Sequence, residues 1–103
     1  MLAARTTFFL HGAVVALLLS ISGCESMPVQ EMSDARQAIM AARDAGAEEH
    51  ATSQLQAAEA SLESAEKYLS SRNYSVARRE AIEAKTQALE ALHLSEAAAG
   101  EEN

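Results

Sequence analysis

Alanine recurs at alternating spacings of four and three residues near the end of the chain, and this spacing restricts the fold more than any other feature. The series consists of Ala77, Ala81, Ala84, Ala88 and Ala91. A leucine and alanine series precedes it: Leu55, Ala58, Leu62, Ala65 and Leu69. Residues three and four apart share one face of an α-helix. Because alanine is small, both series predict closely packed helices with narrow apolar contact surfaces.

We predict an all-α chain with three antiparallel helices over about residues 29–45, 53–71 and 76–97, since the connections between them are short. The predicted apolar face of the first helix consists of Val29, Met32, Ala35, Ile39 and Ala42. Ile82, Leu89 and Leu92 are predicted to widen the apolar face of the third. A long rod that oligomerises is the alternative.

Residues with capping and turn preferences mark the predicted helix ends. Pro28 suits a first helical turn, and Gly46 suits the left-handed position that closes a helix. Ser53 and Gln56 have the spacing of a capping box, which predicts a start for the second helix after the connection over residues 46–52. In the turn before the third helix, Asn73 tolerates left-handed geometry and Ser75 is a candidate N-cap. Glu63 and Lys67 form a favourable pair on the second helix.

The N-terminal residues have the order of parts found in a secretory signal peptide. Arg5 precedes an apolar run that begins near Phe8, and the run ends in Leu19-Ser20-Ile21-Ser22-Gly23-Cys24. Small residues directly before a cysteine are what a bacterial lipoprotein signal requires. Cleavage before Cys24, the only cysteine, then leaves a residue that carries lipid on its thiol and its amine.

Two other interpretations of this segment fit less well. A signal cut by the general peptidase needs an A-x-A-like site, which is absent at this boundary. A retained membrane helix needs about 20 apolar residues, whereas residues 8–21 are fewer and include His11 and Gly12. The residue after the cysteine is Glu25 and not aspartate. By resemblance to the sorting rules of Gram-negative lipoproteins, Glu25 favours the outer membrane, with the helical domain in the periplasm.

The predicted organisation is a signal peptide over residues 1–23, a lipidated tether over 24–28, a helical domain over 29–97 and a frayed acidic tail over 98–103. Cleavage removes one positive charge and no acidic residue, so the mature chain is one unit more negative than the −7 of the full chain. This acidity disfavours nucleic acid and electrostatic binding to anionic lipid as partners. The lipid on Cys24 is the only group that the sequence predicts to be attached.

Three arginines group around one predicted turn of this acidic chain. Arg72, Arg78 and Arg79 are candidates for contact with an acidic partner or with peptidoglycan carboxylates. In the alternative interpretation they pair within the chain with Glu66, Glu80 and Glu83.

No catalytic or metal-binding pattern emerges from the remaining polar residues. Once Cys24 is lipidated there is no thiol nucleophile, and His50 and His93 are far apart in the chain. Glu48, Glu49 and His50 lack the ligand spacing of a metal site. We therefore expect neither an enzyme nor a metal protein, although a weak metal carrier is the hypothesis that these residues leave open.

Two resemblances follow from particular residues. Ala65, Tyr68, Tyr74, Ala77 and Ala81 have the spacing found in the latter part of a tetratricopeptide repeat. The earlier repeat positions and the terminal proline are not met, so the preferred interpretation is a helical hairpin with Tyr68 and Tyr74 packed around its turn.

A second resemblance covers nearly the whole mature chain. It rests on Pro28, Ala35-Arg36-x-Ala38-Ile39, Gly46-Ala47, Leu55-x-x-Ala58-x-x-x-Leu62 and Tyr74-x-x-Ala77-Arg78, followed by the alanine series. In these the chain resembles the small helical envelope lipoproteins of domain of unknown function 4398. The resemblance implies a lipidated helical domain and no assigned chemistry.

Two functions are therefore expected. The first is a non-enzymatic interaction module, anchored to the outer membrane, that binds another envelope protein or itself. The second is a structural spacer that forms an oligomeric coiled coil, as the major murein lipoprotein does. The Leu/Ala series of residues 55–69 supports the spacer. The terminal Glu101-Glu102-Asn103 lacks the lysine by which the murein lipoprotein is joined to peptidoglycan.

Overall fold

The computed structural model describes residues 26–102, and these form four α-helices and no β-strand. The helices are α1 (Val29–Asp44), α2 (Ala47–His50), α3 (Thr52–Ser70) and α4 (Tyr74–Glu102). The all-α prediction is therefore confirmed. No helix within residues 26–102 combines the length and the hydropathy that a membrane span requires. The predicted signal peptide and Cys24 lie outside the described residues.

The prediction of three helices missed α2, which lies in the segment that we expected to be a connection. Gly46 has the predicted left-handed conformation, with φ of 91°. Its carbonyl accepts hydrogen bonds from the amides of Glu49 at 3.1 Å and His50 at 3.0 Å. Ala47 is also fully buried. These contacts stabilise one helical turn, α2, directly after the end of α1.

The predicted capping box at the start of α3 is wrong. The helix begins at Thr52, one residue before Ser53, and no side chain caps it. Ala51 precedes the helix and is 4% exposed. Its carbonyl accepts the amide of Leu55 at 3.0 Å. The start of α3 is therefore determined by burial of Ala51 and not by a polar cap.

The turn between α3 and α4 also differs from the prediction. Arg72, and not Asn73, has the positive φ, of 62°. The last helix begins at Tyr74, so Ser75 lies inside it and is not its N-cap. Asn73 instead provides the backbone carbonyl that accepts the amide of Ala77 at 3.0 Å. The far end of α4 reaches Glu102, beyond the predicted end at residue 97.

The alanine series of α4 is the contact surface of the fold, as the sequence predicts. All of its members are 0% exposed: Ala77, Ala81, Ala84, Ala88 and Ala91. Ser95 extends the series by one turn, is also 0% exposed, and donates its hydroxyl to the carbonyl of Ala91 at 2.8 Å. Helices α1 and α3 each pack on α4 more extensively than they pack on each other.

The residues that meet this surface come mostly from the predicted apolar faces. In α3, Leu55, Ala58 and Ala65 are buried, and Leu62 and Leu69 pack beside them. In α1 the buried residues are Met32, Ala35, Ala38, Ile39 and Ala42. Val29 does not belong to this face, because its side chain is 66% exposed. Pro28, directly before α1, is fully buried in its place.

Ion pairs across the helices define their relative directions. Between α1 and α3, Arg36 pairs with Glu66 and Arg43 pairs with Glu59, so the residue numbers rise on α1 as they fall on α3. Between α1 and α4, Glu31 pairs with Arg78 and Asp34 with Lys85, so both numbers rise together. The first turn of α1 therefore lies beside the turn between α3 and α4.

We expect Ala88→Leu to lower the free energy of unfolding by about 1–3 kcal/mol, because the added carbons have no space in a closely packed surface. Ala88 is 0% exposed and packs against residues of α1, α2 and α3. Urea unfolding followed by circular dichroism measures the change. Ala97→Leu is the matched control, since Ala97 is exposed on the same helix. Alanine and leucine are both good helix formers, so helix propensity differs little between the wild type and either variant. Equal stabilities of the two variants would contradict close packing at Ala88.

Candidate functional site

Only one of the three arginines that the sequence groups as a partner-binding cluster is in an ion pair within residues 26–102. Arg72 lies in the turn before α4 and Arg79 in its second turn, and both side chains are exposed. Neither makes an ion pair within residues 26–102. Arg78 instead lies against α1. Its Nε donates to a carboxylate oxygen of Glu31 at 3.2 Å, and its Nη2 donates to the backbone carbonyl of Ser26 at 2.7 Å.

The intramolecular partners that the sequence suggested for these arginines are not the ones observed. Glu66 pairs with Arg36, and Arg78 pairs with neither Glu80 nor Glu83. Its actual partner is 47 residues away in the chain. A pairing of this separation depends on how α1 packs on α4, and nothing local in the sequence indicates it.

Arg78 fixes the segment that leads into α1. The Arg78 and Glu31 side chains are 31% and 32% exposed, so this pair is less screened by solvent than the other cross-helix pairs. The bond to the carbonyl of Ser26 involves a charged donor, which strengthens it. Together these bonds hold the residue that directly precedes Met27 and Pro28 against the start of α4.

The two tyrosines lie on either side of the same turn. Tyr68 is 39% exposed, and its carbonyl accepts the amide of Asn73 at 2.9 Å and the hydroxyl of Ser71 at 3.1 Å. Tyr74 is half-buried and begins α4. The structural role proposed for these residues thus concerns the turn that lies beside the start of α1.

A groove between α1 and α3 is the feature that sequence analysis missed. Its volume is about 380 Å³. Its lining residues include the buried Ile39 and the partly buried Leu62, together with Met40, which is 60% exposed. The groove exists because both helices pack on α4 and leave their outer faces apart.

Two ion pairs bridge this groove. Arg36 pairs with Glu66 at 3.3 Å, and Arg43 donates a short hydrogen bond to Glu59. These side chains are between 38% and 51% exposed. Exposed ion pairs of this kind contribute about 0.2–1 kcal/mol each to the free energy of unfolding. Two arginines seven apart and two glutamates seven apart were visible in the sequence. Their pairing follows only once α1 and α3 are known to run in opposite directions.

Part of the groove lining has features of a protein interface. Apolar atoms of Ile39, Leu62 and Met40 lie between charged residues, and interfaces commonly place an apolar centre inside a polar rim. Methionine and arginine are both enriched at such sites. Because the ion pairs are weak, a partner can replace either member of a pair at little cost in stability.

Comparison with known families gives one match. The family model described as Domain of unknown function (DUF4398) matches residues 30–103. The chain belongs to the DUF4398 family. This confirms the resemblance drawn from its sequence. No curated protein and no solved structure matches the chain.

Neither His50 nor His93 of this DUF4398 protein lines the groove between α1 and α3. His50 ends α2, where its ring carbon lies 3.3 Å from the position of a Cβ added to Gly46. His93 lies on α4 with its Nδ1 3.8 Å from a carboxylate oxygen of Glu96. Residues 26–102 contain no group of three or more histidine, cysteine, aspartate or glutamate side chains suited to a metal ion.

We expect Arg78→Gln to release the segment before α1 in this DUF4398 protein. Loss of two charged hydrogen bonds should cost about 1–2 kcal/mol of unfolding free energy and accelerate amide exchange at Val29 and Met32, whose amides bond to Met27 and Pro28 carbonyls. Hydrogen exchange measured by NMR tests this result. Arg79→Gln is the matched control, because the neighbouring arginine is exposed and unpaired within the described residues. Equal exchange at Val29 in the two variants would show that Arg78 does not hold this segment.

Proposed function

We propose that the protein is a bacterial outer-membrane lipoprotein whose periplasmic helical domain is a non-enzymatic protein-interaction module. Support for the anchor comes from the lipobox, with the single cysteine, Cys24, at its end and Glu25 after it. In this proposal residues 1–23 are removed as a signal peptide. The protein is then attached through acyl chains, and two or more of these make membrane attachment effectively stable.

The groove between α1 and α3 carries the interaction part of the proposal. In it the three long helices act as one antiparallel three-helix module, with α4 as the common support. The groove offers an apolar floor over Ile39 and Leu62 and an exposed Met40 between charged residues. A polypeptide segment of an envelope protein with apolar and charged side chains is the partner that this surface fits.

The proposed role involves no catalysis. The sequence offers no nucleophile paired with a base, and His50 and His93 lie on different helices, α2 and α4. The carboxylates of Glu59 and Glu66 on the groove are paired with arginines. Such pairing suits recognition of charged partners better than proton transfer.

The alternative is a structural spacer that oligomerises, and one observation favours it. Ile82 and Leu89 lie seven residues apart on α4 and are 50% and 37% exposed. A spacing of seven is that of helix-to-helix contact in coiled coils. The Leu/Ala series of α3 and the alanine series of α4 are, however, already covered within one chain. We therefore place the interaction module first.

The anchor is tested with the full-length chain and its Cys24→Ala variant produced in a Gram-negative host. We expect the wild-type N-terminal peptide to begin at Cys24 with the mass of its acyl groups, and the protein to sediment with outer membranes. The variant, which lacks the thiol that accepts the lipid, should show neither property. An unmodified Cys24, or an N-terminus elsewhere in the mature wild-type protein, would exclude a lipoprotein.

The interaction surface is tested by placing a photo-reactive residue at Met40 of the full-length chain in intact cells. We expect crosslinks to a different envelope protein, because Met40 is 60% exposed beside the groove. Thr86 is the matched control position, since it is exposed on α4 and does not line the groove. Equal crosslinking from both positions would remove the groove as the site. Crosslinks from Leu89 to a second copy of this chain would instead favour the spacer.

A further inference from the structure

The point at which the chain enters the helical domain lies at a defined end of the molecule. Arg78 binds the carbonyl of Ser26 at 2.7 Å and so holds it beside the first turns of α4. If Cys24 carries the lipid, as the proposed function states, two peptide units separate the anchor from this held residue. Fully extended, they span at most about 7 Å. The bilayer surface therefore lies next to this end of the domain.

Unpaired positive charge is concentrated at this same end. Arg72 in the turn and Arg79 in the second turn of α4 are exposed and form no ion pair in the described part of the chain. Three acidic residues close by are paired with a basic residue: Glu31 with Arg78, Glu63 with Lys67 and Glu66 with Arg36. Glu80 is half-buried and shares the side of α4 that faces α3, because it lies two turns before Gln87, which bonds to Ser61 of α3.

The opposite end of the domain has several exposed acidic side chains. Asp44 at the end of α1, Glu48 and Glu49 on α2, and Glu101 and Glu102 at the end of α4 are all exposed. The charge of the domain is therefore unevenly distributed along its length. Near an anionic surface such a distribution turns the basic end inward and the acidic end outward.

We propose that the basic end of the domain, defined by Met27, Tyr68, Arg72 and Arg79, rests on the phospholipid leaflet, with Arg72 and Arg79 contacting headgroup phosphates. Each basic side chain near an anionic membrane strengthens its attraction about fivefold. Met27 and Tyr68 are 52% and 39% exposed at this end. Tyrosine is enriched where membrane meets water, because its ring is apolar and its hydroxyl is polar. The lipid anchor on Cys24 and the two arginines then bind the same membrane.

The positions of these charges change the expectation drawn from net charge. The strongly acidic sequence disfavours binding to anionic lipid when the charge is treated as uniform. In the folded domain the exposed acids Asp44, Glu48, Glu49, Glu101 and Glu102 lie at the end opposite the anchor. Screening limits each charge to about 8–10 Å at physiological salt, so the distant acids contribute little at the bilayer.

The test uses the mature chain, from Cys24 to Asn103, coupled through its thiol to a maleimide phospholipid in nanodiscs that contain a gadolinium-chelating lipid. Paramagnetic relaxation of backbone amides then reports how close each end lies to the headgroups. On nanodiscs with phosphatidylglycerol we expect amides of residues 70–79 to relax faster than on phosphatidylcholine alone, and the difference to fall as salt rises. Amides of residues 48–53 should show no such difference.

A pair of double variants isolates the arginines. Arg72→Asn with Arg79→Gln should remove the lipid-dependent relaxation, and asparagine suits the positive φ at position 72. Ser53→Glu with Gln56→Glu makes the same change in net charge at the opposite end, where both residues are exposed. This control variant should keep the lipid-dependent relaxation of residues 70–79. A dispersed amide spectrum confirms that each variant is folded.

Two results would overturn the proposal. One is equal relaxation of residues 70–79 on both lipid compositions. The other is an equal loss in the two double variants, which would mean that only net charge matters. Because the coupling at Cys24 is chemical, either result is independent of whether cells acylate this residue. Failure of the lipoprotein assignment would appear only in the mass of the N-terminal peptide.

Discussion

Close contact across an alanine surface is the constraint on which the rest of this structure depends. Alanine side chains reach only one carbon from the backbone, so α1 and α3 bury apolar surface against α4 only by approaching its backbone closely. The members of the α4 series are 0% exposed, which shows that this approach is made along most of the helix. Both partners are thereby placed side by side on one support, with their outer faces apart. The groove between α1 and α3, and the ion pairs that bridge it, follow from this arrangement.

The regular part of the fold was predictable because its cause is local. A spacing of three and four defines a helix face whatever the tertiary structure, and the predicted faces of α3 and α4 are the ones that pack. Gly46 was predictable for a similar reason, since a left-handed residue after a helix favours glycine. Errors arose where a tertiary contact overrides local preference. The start of α3 is determined by the buried Ala51 and not by the predicted capping box at Ser53. In the turn before α4, the left-handed residue is Arg72 and not Asn73.

The candidate sites show the same division. The sequence identified Arg72, Arg78 and Arg79 by their proximity in the chain, but their roles depend on which elements face them. Arg78 lies against α1 and binds the residues that lead into it, whereas its two neighbours in the cluster are exposed. The groove was not predicted because its two sides come from helices separated in sequence. Its residues were each visible as ordinary members of an amphipathic helix, and only packing on α4 brings them together.

The use of α4 as the common support also determines when this chain is able to fold. Helices α1 and α3 pack less on each other than on α4, and α4 is the last of the described helices. A ribosome that has made residues up to the end of α3 has therefore produced two helical segments without their main partner. Most helical stability in proteins comes from tertiary packing, so the chain has no stable core until α4 is complete. Folding is thus postponed until α4 has been synthesised.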